Sequence, residues 1–173
     1  MAASRQKGKS RSKKPVRRAT GGRATPRTRR PITPEDLTRF VFVSDPQLSP
    51  DGERLVFVRK HVGTKNDYVT DLWMVPTDSG EPTRFTSGGK DGHPRWSPDG
   101  ERIAFLSGRE KGRPQVWTIP VTGGEATKLT DFPEGALASF RWSPDGRMLA
   151  VSFREQDPDW TEAAGKNRTD KGL

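Results

Sequence analysis

Cysteine is absent from the 173 residues, which excludes disulfides, thiolate metal sites and cysteine nucleophiles. Histidine occurs only twice, as His61 and His93. No apolar run approaches the roughly 18 residues of a membrane-spanning helix. Nor does an apolar stretch of about 7–15 residues follow the basic start, as a secretory signal would require. No membrane contact and a cytoplasmic location are therefore expected. Apolar residues make up 29% of the chain, well under the average of about 45–50% that also counts glycine.

Acidic residues are missing from one region altogether. Residues 1–31 hold 12 of the 31 basic residues and none of the 22 acidic ones, so the remainder carries a net charge of −3. A basic tail is thus joined to a mildly acidic body. The tail has only Met1 and Val16 as large apolar side chains, too few to offset the entropy of ordering it, and residues 1–31 are expected to be disordered. Its lysines and arginines would bind nucleic acid weakly and without sequence preference by releasing counterions. It has no aromatic residue for base stacking. It also lacks the spaced Leu or Phe of an amphipathic transit helix.

What the body does have is a repeat. Ser49-Pro50-Asp51-Gly52 recurs as Ser97-Pro98-Asp99-Gly100 and as Ser143-Pro144-Asp145-Gly146, at spacings of 48 and 46 residues. Arg95-Trp96 matches Arg141-Trp142 in step with it. Leu72-Trp73-Met74-Val75-Pro76 matches Val116-Trp117-Thr118-Ile119-Pro120, and the Gly80–Thr86 segment matches Gly124–Thr130, both at an offset of 44. Markers in one order at one period identify structural repeats. The Ser-Pro-Asp-Gly element reads as a turn. Proline presets φ, the Ser and Asp side chains bond nearby N–H groups, and glycine takes positive φ.

Each repeat reads as four short antiparallel strands. In the second, these are about 93–96, 102–107, 114–119 and 126–130. The run Ile103-Ala104-Phe105-Leu106 is apolar on both faces, as is expected of a strand covered on both sides. Four strands at a period of about 45 residues match a β-propeller blade. The fold class expected is all-β: a partial β-propeller of two full four-stranded blades plus part of a third, behind the basic tail. Its blades fall at about 45–86, 93–130 and 138–160. A lead-in segment, 32–44, holds a short helix or strand, with Thr33-Pro34-Glu35-Asp36 as a helix start. The polar end, 161–173, is expected to be disordered. A ring closes with about four to eight blades, so the uncovered strand at 148–153 predicts self-association.

The repeated Trp-Ser-Pro-Asp-Gly, a buried strand and then Trp-x-Ile/Val-Pro resemble the WD-like propeller repeats of TolB-type proteins. From Ile32 on, the chain also resembles the N-terminal propeller of prolyl oligopeptidase family serine peptidases, in the acylaminoacyl peptidase and dipeptidyl aminopeptidase branch. Ile32-Thr33-Pro34-Glu35-Asp36-Leu37, then Val43-Ser44-Asp45-Pro46, are similar to the start of that branch. The resemblance implies further blades and a catalytic α/β-hydrolase domain as partner, neither of them in these residues. It also implies a peptide substrate in the full-length protein, with the propeller as a sieve. A TolB-like protein-interaction module is the alternative, although a periplasmic TolB would carry a signal peptide. A nucleic-acid-associated protein acting through the tail is the third reading.

The chemistry of a hydrolase is not written in the chain. No Gly-x-Ser-x-Gly elbow occurs. His93 reads as a strand-edge or loop residue, and His61 as an exposed residue ending an apolar strand. Neither has a Ser and Asp at a defensible spacing. Asp51, Asp99 and Asp145 recur, but inside turns, which points to turn stabilisation rather than calcium. Trp73, Trp96, Trp117 and Trp142 recur at equivalent positions, which points to packing between blades. No catalytic, cofactor-binding or metal residue is assigned, and no cofactor is expected.

Overall fold

The structure, a computed structural model, describes residues 30–110 and 112–170. The chain divides into two units, Met1–Ile32 and Thr33–Leu173. The expectation for the tail, 1–31, falls almost wholly outside the described residues.

The second unit opens with a 3₁₀ helix, Pro34–Arg39. The Asp36 carboxylate accepts the Thr33 N–H at 2.9 Å, the acid half of a capping box. The helix stops after six residues. Phe40-Val41-Phe42-Val43, aromatic and β-branched, turn the chain into extended structure. Helix and strand, the two options for this segment, thus occur in succession.

Three antiparallel sheets follow. The first is β1 (Val41–Leu48), β2 (Arg54–Val62), β3 (Tyr68–Pro76) and β4 (Thr83–Arg84), in that order. The second is β5 (Asp91–Trp96), β6 (Arg102–Ser107), β7 (Gln115–Pro120) and β8 (Thr127–Lys128). The third has two strands, β9 (Gly135–Trp142) and β10 (Leu149–Glu155). These are two blades and part of a third. The first blade begins at Val41 rather than near residue 45, so β1 takes up the end of the lead-in segment. The third begins at Gly135 rather than near 138. A Cβ at residue 135 would run into the Arg154 carbonyl and the Phe153 ring, which accounts for glycine where this strand starts.

The three turns are built alike. Ser49 Oγ donates to Asp51 Oδ1 at 2.5 Å, and the same bond joins Ser97 to Asp99 and Ser143 to Asp145. Each serine hydroxyl also accepts the N–H that opens the next strand segment, from Arg54, Arg102 and Met148. Each aspartate accepts the N–H two residues on, from Glu53, Glu101 and Arg147. The turn glycine lies at φ 77°, 73° and 70° in the three copies, a left-handed backbone that a side chain would strain.

Burial lies between the sheets. Val56, Val58 and Leu72 of the first blade meet Ile103, Phe105, Trp117 and Ile119 of the second. Ala104 and Val116, on the opposite face of the second blade, meet Leu137 and Phe140 of the third, with Leu149, Val151 and Phe153 packed alongside. The second blade is therefore buried on both faces, as its sequence requires. The outer two blades depart from that pattern. In β10 only Leu149, Val151 and Phe153 turn inward, while Ala150 and Ser152 face out and are exposed. The uncovered face of β10 thus carries the small side chains of Ala150 and Ser152. In the first blade Phe57 and Trp73, partners in the register, lie outside both clusters. Arg59 stacks on the Trp73 ring at 4.3 Å.

The end of the chain corrects an expectation. Residues 161–173 were expected to lack order, yet α1 spans Glu162–Asp170. Thr161 Oγ1 accepts the Ala164 N–H at 3.3 Å and caps it. Glu162 and Lys166 pair at 2.8 Å one turn apart. The Glu162 N–H donates to Glu134 at 2.8 Å, which ties the helix to the third blade.

Candidate functional site

Charged and titratable groups gather along the first strands of the blades. These strands are joined side by side: the Trp96 indole N–H donates to the Gln47 carbonyl, and that of Trp142 to the Arg95 carbonyl. Both β1 and β5 are bulged, with register slips between Ser44 and Gln47 and between Gly92 and Arg95. Inside each slip one non-glycine residue has positive φ, Asp45 at 49° and His93 at 54°. The two are 48 residues apart, the period of the repeat. Such a conformation costs about 1–3 kcal/mol and re-aims the side chain that adopts it.

The re-aimed groups meet between the first two blades. Arg95 Nη1 donates to both carboxylate oxygens of Asp45, at 3.0 and 2.9 Å. Gln47 Nε2 donates to the same carboxylate at 2.8 Å. Arg95 Nη2 lies 3.2 Å from His93 Nδ1. Guanidinium can only donate, so Nδ1 accepts and the ring proton sits on Nε2. That nitrogen is buried without a hydrogen-bond partner, and the ring packs edgewise against Phe140 at a centroid distance of 5.3 Å. Burial, then Arg95, then Arg141 hold the His93 pKa below its usual value, although Asp45 pulls it the other way. His93 is a neutral acceptor in a partly buried joint.

This arrangement is a fastening and holds no activated nucleophile. Among the described residues neither histidine is hydrogen-bonded to a serine, and no group of three His, Asp or Glu side chains could hold a metal. His61, expected to be exposed, is half-buried because it lies on the central strand of its sheet, flanked by Val41 and Val69. The turn aspartates serve their own turns. The Ser hydroxyl bond first, and the N–H bond second, lower the pKa of Asp51, Asp99 and Asp145. Trp96, Trp117 and Trp142 pack between blades, whereas Trp73 packs under Arg59.

Two buried carboxylates escaped the sequence reading. Asp71 in β3 accepts from Arg84 at 2.6 Å and from the Gly89 N–H at 2.9 Å. Asp91 in β5 accepts from Ser107 at 2.6 Å, from the Gly88 N–H at 3.0 Å, and from Arg109 through both oxygens at 2.9 Å. They tie the crossing from the first blade to the second. Gln115, which follows Asp71 by the 44-residue offset, does the same one blade later through Thr130 and Phe132. The one available signal was an acid inside the apolar run of β3.

Four-stranded antiparallel sheets packed face to face and joined through their first strands define a β-propeller, here as two blades and part of a third. The chain belongs to the TolB β-propeller domain family, whose profile, described as "TolB beta propeller domain", matches residues 37–170. It is 42% identical over 123 residues to uncharacterized peptidase YuxL of Bacillus subtilis, which covers 70% of this chain and 19% of that protein. Its structure is similar to acylaminoacyl peptidase of Pyrococcus horikoshii, with a TM-score of 0.58 and 25% identity over 72% of this chain and 20% of that one. It is also similar to putative TolB of Agrobacterium tumefaciens, with a TM-score of 0.52 and 31% identity over 64% of this chain and 38% of that one. The chain thus spans about a fifth of the length of either peptidase. It is a propeller of the kind found in peptidase-family and TolB-like proteins.

Proposed function

We propose that these blades belong to the propeller of a prolyl oligopeptidase family serine peptidase. There they form part of the wall that admits peptides and unstructured segments to an α/β-hydrolase domain, and the hydrolase domain does the chemistry. The observation that carries this reading is the 42% identity to a peptidase over 123 residues. The joint at Asp45, His93 and Arg95 fits a wall, since its charges are paired and its histidine is neutral. The chain by itself is expected to hydrolyse neither acyl-aminoacyl nor dipeptidyl chromogenic substrates.

A second reading, a protein-interaction module, draws on the 31% identity to the Agrobacterium TolB-type structure. Reading the coding DNA past the codon for Leu173 and expressing everything in frame separates the two. Further blades followed by a Gly-x-Ser-x-Gly elbow, with turnover lost on replacing that serine by alanine, support the peptidase. Further blades with no elbow support the interaction module.

A further inference from the structure

The first strands repeat position by position. Gln47, Arg95 and Arg141 each stand two residues before a turn serine, and Asp45 and His93 each stand four before one. Between the first and second blades, Arg95 reaches back and is neutralised by Asp45. Arg141 holds the same place in the third blade, but His93 replaces the acid. His93 offers no counter-charge, because it is neutral and its Nδ1 already accepts from Arg95. Arg141 is exposed, and its Nη1 donates to the adjoining Phe140 carbonyl at a long 3.4 Å. Among the described residues no carboxylate pairs with it.

We propose that Arg141 is a carboxylate-binding position, which takes the carboxylate of an extended peptide in the role that Asp45 plays one blade earlier. The Asp45–Arg95 pair is the template, for it shows that an arginine on this strand, at this distance from its turn, is satisfied by a carboxylate lying over the preceding blade. Guanidinium matches carboxylate through paired, charge-assisted hydrogen bonds. The choice of a peptide as the carrier rests on the peptidase reading above. The carboxylate is a peptide C-terminus or an Asp or Glu side chain.

Three N-acetylated tetrapeptides distinguish these sources. One has a free C-terminus, one is amidated and contains glutamate, and one is amidated and neutral. Each is titrated into the full chain at low salt, with Trp fluorescence and the arginine Nε–H resonances as readouts. At least one carboxylate peptide is expected to bind, and to bind better than the neutral one; which one binds names the source. Arg141→Ala is expected to weaken binding by about tenfold or more, as loss of a hydrogen bond between charged groups does, and Arg141→Lys to restore part of it. His93→Asp keeps Arg141 but sets a carboxylate on the second blade where Asp45 stands on the first, open to Arg141 as well as to Arg95, and is expected to weaken binding as well. Its result stands even if the position 141 variants fail to fold, which circular dichroism would show. Equal binding of the neutral peptide, no binding of either carboxylate peptide, or full affinity in His93→Asp overturns the proposal. The peptidase reading stands or falls separately, on the reading frame past Leu173.

Discussion

The indole N–H of Trp96 donates to the main-chain carbonyl of Gln47 at 3.0 Å, so a side chain of the second blade is bonded to the backbone of the first. Trp142 repeats the bond to Arg95 at 3.2 Å. Trp96→Phe keeps an aromatic ring but leaves that carbonyl without its donor. Stability is expected to fall by about 1 kcal/mol, read as a lower urea midpoint. An unchanged midpoint would show that the bond adds nothing beyond the ring.

Phe105 is fully buried between the first two blades. Phe105→Ala is expected to cost about 3–5 kcal/mol through lost transfer energy and the cavity left behind. That is a large share of an ordinary domain's 5–15 kcal/mol. Loss of near-ultraviolet circular dichroism at a lower denaturant concentration checks it. A cost under about 1 kcal/mol would mean that the two sheets close up around the gap.

Acid should loosen the turns before it touches the core. Asp51, Asp99 and Asp145 have native pKa values below the usual 3.8. Unfolded chains therefore bind protons that the native state refuses. The stabilisation is complete above about 3.8 and is lost as pH falls through the lower native values. The triple Asp→Asn variant is expected to show a flatter melting temperature between pH 4 and about 2. An unaltered slope would place the acid sensitivity elsewhere.

His93 works in the same direction at higher pH. Its native pKa lies below the usual 6.5, so its contribution is complete above that value and fades as pH falls through the native one. His93→Gln, which keeps an acceptor for Arg95, is expected to remove that part of the pH dependence. A melting curve that responds to pH equally in both proteins counts against it.

Purified chain is expected to self-associate, chiefly through β1. Val41, Phe42 and Val43 are 46, 54 and 62% exposed in succession, so this edge strand shows apolar side chains on both of its faces, and exposed apolar surface promotes association. The edge strand β10 adds unpaired backbone groups. Light scattering should report oligomers, and Phe42→Lys should shift them toward monomer. Oligomers that ignore this change would move the contact to β10.

Much of the fold was legible because its determinants are local. A serine, an aspartate and a glycine within four residues make a turn by bonding one another, and three copies set the period. Side-chain volume was harder to read. Leu149-Ala150-Val151-Ser152-Phe153 is apolar but for Ser152, and alternation sends its two small residues, Ala150 and Ser152, outward. Partners distant in sequence left no local mark. Asp45 and Arg95 are 50 residues apart, and Asp91 and Arg109 are 18 apart. Positive φ at Asp45 and His93 follows from bulges in a sheet, which no single residue announces. The helix Glu162–Asp170 is held partly by Glu134, 28 residues upstream of its first residue.

The tryptophan bonds between blades point one way. Each later blade supplies the donor and each earlier blade the acceptor, and Leu48, 58% exposed, stands where Trp96 and Trp142 stand in the blades that follow. Under mechanical load the chain would behave as a ratcheted stack whose first plate is gripped through its carbonyl and carries no indole at the matching position. A pull applied at Val41 should peel the first blade away once the Gln47–Trp96 bond and the shared apolar face give. A pull applied beyond Glu155 must first strip the third blade from Arg95. Rupture in an optical trap should therefore come in discrete steps whose order depends on the end that is held.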